Sequence, residues 1–465
     1  MSENQETIRP EAEDETEDSY ALNAVTVDAI LAAVEVGGKD RLIELLEPLH
    51  EADIADLLEQ IGERDRRKLL HLWGTELDGA VLSELEEGIR DETLKEIDEE
   101  VLQAAVSDMD SDDVVYLVED LDEAKQERVL DALEDADRVA VEASLLHDEG
   151  SAGRLMQREL VSAPEHWTVG EAIDFMRASD DLPEDFYKVI LIDPRMHPVA
   201  TVRLGRIMAN PRDRKLIDLK DEMLHVIRVD EPQKDVAYAF NQYHLVSAPV
   251  VDDDGRLIGI ITIDDAVEVL EDEAEEDIQR LAGLSGEEEI SDSILNTTVA
   301  RFPWLAVNLL TAIAASVVIA QFAETIEAIV ALAVLMPIVA SMGGNAGTQS
   351  LTIAVRALAT RDLTAANAMR VLRRESAAGL ANGAAFAVVI GVAAGTWYGS
   401  VMLGVVMGFA MMVTMMVAGL AGVLIPLGLE KAKVDPALAS GAFVTTVTDV
   451  VGFFVFLGLS GIVLL

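Results

Sequence analysis

Five long apolar runs decide what this chain can be. Residues 302–322, 328–354, 376–398, 400–428 and 437–463 each exceed or match the roughly 20 residues that carry a helix across a bilayer. In hydrocarbon every backbone polar group must be satisfied within the segment, so helices are the expected form. The first four runs contain no Asp, Glu, Lys or Arg, and the fifth contains one charge, Asp449. A charge at mid-bilayer costs about 3 kcal/mol on insertion scales, so something must compensate for it.

On a helix, three- and four-residue steps align Gly441, Thr445, Asp449 and Gly452 on one face. That face is small, polar and singly acidic. It suits close helix packing, with Asp449 hydrogen-bonded to a neighbour, or the wall of a wet, cation-attracting pore. The pore is the reading carried forward, because an ionisable residue inside a membrane is a functional hypothesis by default. In the second run, Gly343-Gly344-Asn345 is expected to interrupt the helix and expose carbonyls, and Asn345 and Gln349 offer neutral oxygens to a passing hydrated ion. Small residues for close helix contact are the competing reading of the glycines. Glu375, just before the third run and beside Arg373 and Arg374, is expected to be a charge partner at a helix N-terminus.

The charge is unevenly shared. Residues 297–465 hold 8 basic and 7 acidic side chains, which leaves 27 basic and 78 acidic of the chain's 35 and 85, a net of −51, for residues 1–296. Nucleic acid is not an expected partner of such a surface. Two explanations compete, an acidic surface adapted to a salt-rich cytoplasm and carboxylates gathered to bind cations. Within the apolar half, Arg301, Arg356 to Arg374, Lys431 and Lys433 all fall on the side of the N-terminal region. The excess of basic residues makes that side cytoplasmic and puts the C-terminus outside a plasma membrane crossed five times. The absence of cysteine excludes disulfides and thiolate metal sites. The polar, acidic residues 1–20 have no apolar core of a signal peptide and read as a disordered tail.

Residues 21–150 carry apolar residues at helical spacing. Asp53-Ile54, Leu57-Leu58-Glu59 and Leu69-Leu70 recur 60 residues later as Asp113-Val114, Leu117-Val118-Glu119 and Val129-Leu130, the signature of stacked helical hairpins in an all-α superhelix. His50, His71 and His147 are too scattered for a metal site and read as surface or packing residues. From 151 the period changes. Short β-branched runs at 189–192, 199–202, 249–251 and 257–261 alternate with helical stretches, and Asp252-Asp253-Asp254-Gly255 is a hairpin signal. Two copies of one small α/β unit are expected, at 151–217 and 218–272. At the end of the second, Thr262 with Asp264-Asp265 resembles the ribose-contacting turn of a CBS domain, though a helix N-cap explains the same residues. The strongly acidic stretch 266–296 is expected to form a connecting helix, with 273–296 between the second unit and the first span. Its like charges call for a neutralising cation, and hard divalent ions prefer carboxylate oxygens.

These residues, taken with Ser151-Ala152-Gly153-Arg154-Leu155-Met156, the span-two run Pro337 to Ser350, the loop Arg356 to Leu363, and Asp435-Pro436-Ala437 leading to Thr445-Thr446-Val447-Thr448-Asp449, resemble the MgtE family of magnesium channels over nearly the whole chain. The resemblance implies a homodimer with a helical N-domain, tandem CBS domains, a plug helix and five spans per protomer. It implies that Asp449 recognises hydrated Mg²⁺ as a pair across the dimer axis. It further implies that cytoplasmic Mg²⁺, bound at positions matching Asp113, Asp265, Glu268, Glu273, Glu276 and Asp277, closes the pore, and that ATP is a candidate ligand of the CBS pair. His244 stands where some relatives carry Asp, which puts one sensing site in doubt. The expectation is thus a gated Mg²⁺ channel rather than an enzyme, since no nucleophile–base pair accompanies the spans. An ion-coupled exchanger and a membrane-tethered nucleotide sensor are the alternatives.

Overall fold

A computed structural model describes residues 22–465 apart from 108, 120, 180, 181, 184, 185, 285, 287 and 289–293. The tail expected at 1–20 and part of the acidic stretch before the first span lie outside the described residues. The chain divides between Glu271 and Asp272 into two compact units.

In the first unit, ten α-helices among the described residues lie between Ala24 and Ser144. The 60-residue repeat falls on two helix pairs, Glu51–Gln60 with Glu63–Trp73 and Ser111–Glu119 with Glu123–Ala132. Leu57, Leu58 and Leu69 and their counterparts Leu117 and Val129 are buried in one continuous core, so the repeat exists because each hairpin buries the face its neighbour cannot. His50 is a helix cap: its Nδ1 accepts from Ala52 N at 3.3 Å while Asp53 accepts from His50 N, which satisfies two otherwise orphaned amides.

Two three-stranded sheets follow. Strands β1 (Ser162–Pro164), β2 (Lys188–Ile192) and β3 (Pro198–Arg203) form the first, and β4 (Ile227–Arg228), β5 (Ser247–Val251) and β6 (Leu257–Thr262) the second. In both, the first pair is parallel and the second antiparallel, so the duplicated sequence has folded twice into one topology. The hairpins match too. Asp193 and Asp252 stand at equivalent turns, each closed by a left-handed residue, Met196 (φ 67°) in the first and Gly255 (φ 80°) in the second. Gln157 pairs with Ile260 through two backbone bonds of 2.9 Å. Gly259 suits that pairing, because a Cβ would lie 2.8 Å from the carbonyl oxygen of Gln157.

A 20-residue helix, α1 (Ile263–Ala282), crosses the boundary between the units. It stops short of 296, because Gly283 turns left-handed (φ 88°) where the indole of Trp304 lies against it. Five helices long and apolar enough to span a membrane complete the chain: α2 (Ile294–Ala320), α3 (Ala331–Ala359), α4 (Ala368–Trp397), α5 (Val401–Lys431) and α6 (Pro436–Val463). Helix α5 is central, packing on α3, α4 and α6. Its approach to α4 is glycine-dependent, since a Cβ on Gly404 would stand 2.3 Å from the carbonyl oxygen of Gly391.

Two expectations are corrected. Helix α3 runs unbroken through Gly343, Gly344 and Asn345. Gly343 and Gly347 are buried against Thr414, Val444 and Thr448, and that close packing offsets the roughly 1 kcal/mol helix penalty of each glycine. Helix α4 begins eight residues before 376. Arg370, Arg373, Arg374 and Glu375 therefore belong to its first turns, and Glu375 is not a charge partner at the N-terminus but is buried between helices. Asp449 is accordingly not the sole carboxylate in the spanning helices.

Candidate ion-pathway and regulatory sites

Helix α6 starts at a strong signal. Asp435 Oδ1 accepts from Ala437 N at 2.7 Å, and Pro436 occupies the first helical position, where its missing N–H does no harm. Four turns on, Asp449 is half-buried. No hydrogen bond or ion pair among the described residues reaches it. The expected polar face divides. Gly441, Thr445 and Asp449 stay partly exposed, with Thr445 Oγ1 donating back to Gly441 O at 3.0 Å. Gly452 is buried against Val339 and Thr414, so it serves packing.

Across from Thr445 lies Gly344 of α3, where even an added Cβ would stay 3.9 Å from Thr445 Cγ2. On α3 the residues Ser341, Asn345, Thr348, Gln349 and Thr352 are exposed. Within this polar stripe Thr348 and Thr352 donate to carbonyls one turn back, Gly344 O and Thr348 O, both at 3.0 Å, but the exposed amides of Asn345 and Gln349 call for water or protein against them rather than lipid. Asn345 lies on that stripe. Gln349 shares it and also lines a cavity with Ser350 and Glu375.

The connecting helix carries a cluster that spacing alone did not reveal. Arg280 of α1 pairs with Glu276 one turn earlier and, at 2.6 Å, with Asp435 Oδ2. Leu281 beside it packs on Leu351, Val355, Ala437 and Val444. The last turn of α1 is thereby tied to the first turn of the helix that carries Asp449. Arg301 of α2 likewise pairs with Glu288 at 2.7 Å. Glu273 and Asp277 are half-buried on α1 and Glu268 is exposed.

In the first unit, the start of the Ser111–Glu119 helix brings acidic groups to the end of β6. Burial first, then repulsion from Asp265, Asp110, Glu84 and Asp264, pushes the Asp113 carboxyl up to about 7. Burial pushes Asp265 up to about 6, against the opposing bonds it accepts from Thr262 N (3.2 Å) and Oγ1 (2.8 Å). Asp112 is likewise raised, by burial and then by Asp265 and Asp113. Of the six expected regulatory residues the structure thus unites Asp113 with Asp265, and adds Asp112, which sequence reasoning missed. Thr262 and Asp265 bond to each other as a cap. Among the described residues no three Asp, Glu or His side chains converge closely enough to hold a metal ion. His244 is exposed and left-handed (φ 52°) at a helix C-terminus, where it caps backbone.

The comparisons with known proteins bear on the same segments. The MgtE model, described as a divalent cation transporter, matches residues 336–459; the MgtE intracellular N domain matches 49–150 and the CBS domain 218–272. The magnesium transporter MgtE of Thermus thermophilus is 33% identical over 443 residues, which cover 93% of this chain and 97% of that one. The chain belongs to the MgtE family of divalent cation transporters. The magnesium transporter MgtE of Enterococcus faecalis is also 33% identical, over 68% of this chain and 70% of its own. A solved cytosolic domain of the Mg²⁺ channel MgtE in complex with ATP is 28% identical and covers 52% of this chain and 99% of that one, with a TM-score of 0.49.

As an MgtE protein the chain is a multi-pass membrane protein of magnesium transport. The segment matching the MgtE transporter contains Asn345, Gln349, Thr445 and Asp449. The match to the MgtE N domain ends where the helical superhelix ends, and the CBS match coincides with the second α/β unit, whose topology the first repeats.

Proposed function

We propose that two copies of this chain form a passive Mg²⁺ channel, with Asp449 of each facing the other across the pore, and that cytoplasmic Mg²⁺ closes it. The observation that carries the reading is Asp449 itself: a half-buried carboxylate in a spanning helix, with no hydrogen-bond or ion-pair partner among the described residues. One carboxylate is a poor host for a divalent ion, but two acting through retained waters are a good one, because Mg²⁺ gives up its waters reluctantly. The exposed amides of Asn345 and Gln349 on α3 support a second copy and a wet path, since lipid offers them no partner. The basic residues near the helix ends support a cytoplasmic N-terminal unit and an external C-terminus.

Closure fits the acidic cluster. Asp112, Asp113 and Asp265 repel one another when ionised, and a divalent cation relieves that repulsion. In the second unit, Glu273, Glu276 and Asp277 lie on the helix whose end grips the pore helix through Arg280. Mg²⁺ closes the pore by binding the closed arrangement better, and a hundredfold shift requires about 2.7 kcal/mol of differential binding. ATP is assigned no step, because a ribose at Thr262 and Asp265 would have to replace their mutual bond.

The test is Mg²⁺ uptake into liposomes carrying the full chain. Asp449→Ala is expected to abolish uptake while the protein still assembles, and full uptake by that variant would remove the pore assignment.

A further inference from the structure

A cavity of about 110 Å³ opens between α3, α4 and α5. Its polar lining is Gln349 and Ser350 from α3 with Glu375 and Asn382 from α4, and its lining holds no Lys, Arg or His. Glu375 is 8% exposed and Ser350 7%. Ser350 Oγ donates to Glu375 Oε2 at 3.0 Å. That single hydroxyl uses one of the about four lone-pair directions an ionised carboxylate offers. Arg373 and Arg374, the preceding residues, are exposed and stand outside the lining. A carboxylate buried in this way calls for a cation or for further donors.

The donor set decides which. A carboxylate, a hydroxyl and two amide side chains give hard, neutral oxygens around one negative charge, which suits hard cations. A monovalent ion brings the buried charge to zero. A divalent ion leaves an uncompensated positive charge, and Mg²⁺ in addition resists shedding its water. The site is also separate from the proposed pore carboxylate. Ser350 lies six residues beyond Gly344, the residue facing Thr445, which is about 9 Å along the helix at 1.5 Å per residue.

We propose that the Glu375 cavity binds a partly dehydrated Na⁺ ion, with Glu375 supplying the charge and Ser350, Gln349 and Asn382 the remaining oxygens. Bound there, Na⁺ joins three helices at the level where α4 rests on Gly419 of α5, a contact so close that a Cβ on Gly419 would stand 2.7 Å from Glu375 O. Na⁺ therefore stabilises the packing of the bundle independently of Mg²⁺.

The experiment is retention of radioactive Na⁺ by the full chain in detergent, at constant ionic strength in choline and with millimolar Mg²⁺ present to occupy the acidic first unit. One saturable Na⁺ per chain is expected. Glu375→Gln is expected to weaken it at least tenfold and Asn382→Leu severalfold. Should Glu375→Gln fail to fold, Ser350→Ala keeps the carboxylate and is expected to weaken Na⁺ severalfold in a protein that elutes normally. Asp449→Asn is expected to retain the Na⁺ while losing Mg²⁺ uptake, so this site and the pore fail separately. Absence of saturable Na⁺ binding between pH 6 and 9 would overturn the proposal. So would undiminished binding in both Glu375→Gln and Ser350→Ala, or stoichiometric displacement of Na⁺ by Mg²⁺.

Discussion

Arg280 and Asp435 form a 2.6 Å ion pair between the last turn of the connecting helix and the N-cap of the helix that bears Asp449. Both side chains are only a quarter to a third exposed, so screening is partial and the pair is worth more than a surface one. Asp435→Asn keeps the cap and removes the charge. A double-mutant cycle with Arg280→Ala is expected to give a coupling of about 1 kcal/mol in thermal unfolding. Either single variant is expected to raise the Mg²⁺ concentration that half-closes the channel by about threefold to tenfold. An unchanged closing concentration in both would mean that the pair holds the helix without transmitting closure.

The acidic cluster predicts a pH dependence with a definite sign. Asp113 and Asp265 have folded values raised to about 7 and about 6. Their contribution to stability is therefore full below the ordinary carboxylate value of 3.8 and is lost progressively as pH rises from there to 6 and 7 in the absence of divalent cations. Mg²⁺ competes with those protons. Acid therefore weakens closure, and about tenfold more Mg²⁺ is expected to be needed at pH 6 than at pH 7.5. Asp113→Asn is expected to flatten that dependence. Liposome flux at graded Mg²⁺ and pH measures both.

Neighbouring glycines on α3 differ in what they tolerate. A Cβ at Gly343 would stand 2.6 Å from Thr414 Cγ2, and one at Gly344 has 3.9 Å to its nearest neighbour. Gly343→Ala is expected to destabilise the protein by about 1–3 kcal/mol through overpacking, read as an earlier thermal aggregation in detergent. Gly344→Ala is expected to be close to neutral.

Much of this was legible in the sequence because the signals are local. The apolar runs and the 60-residue repeat each follow from periodicity, and each corresponds to an observed element. What escaped depends on contacts distant in the chain. Glu375 sits beside two arginines in sequence, and only the packing of α3 and α5 against α4 turns it inward to Ser350. Glycine in α3 reads locally as a helix breaker, and only the neighbours that press on it reveal close packing. Arg280 and Asp435 are 155 residues apart, and Asp112 looks no different from Asp113 until the end of β6 is brought against both.

The polar stripe on α3 predicts a second copy against it. The chain has no cysteine, so Thr348→Cys, exposed on that stripe, introduces a single thiol. Mild oxidation or a short bifunctional reagent is expected to produce a covalent dimer in membranes. Thr396→Cys, exposed on α4, is expected to remain monomeric under the same treatment.

The most direct measurement is Mg²⁺ entry into liposomes under a Mg²⁺ gradient alone, with Na⁺ and pH equal on both sides, for the wild-type chain and Asp449→Asn reconstituted in equal amounts. The account predicts entry in the first and a loss of at least tenfold in the second, which keeps the side chain's shape and removes its charge. Wild-type entry rates through Asp449→Asn would contradict it.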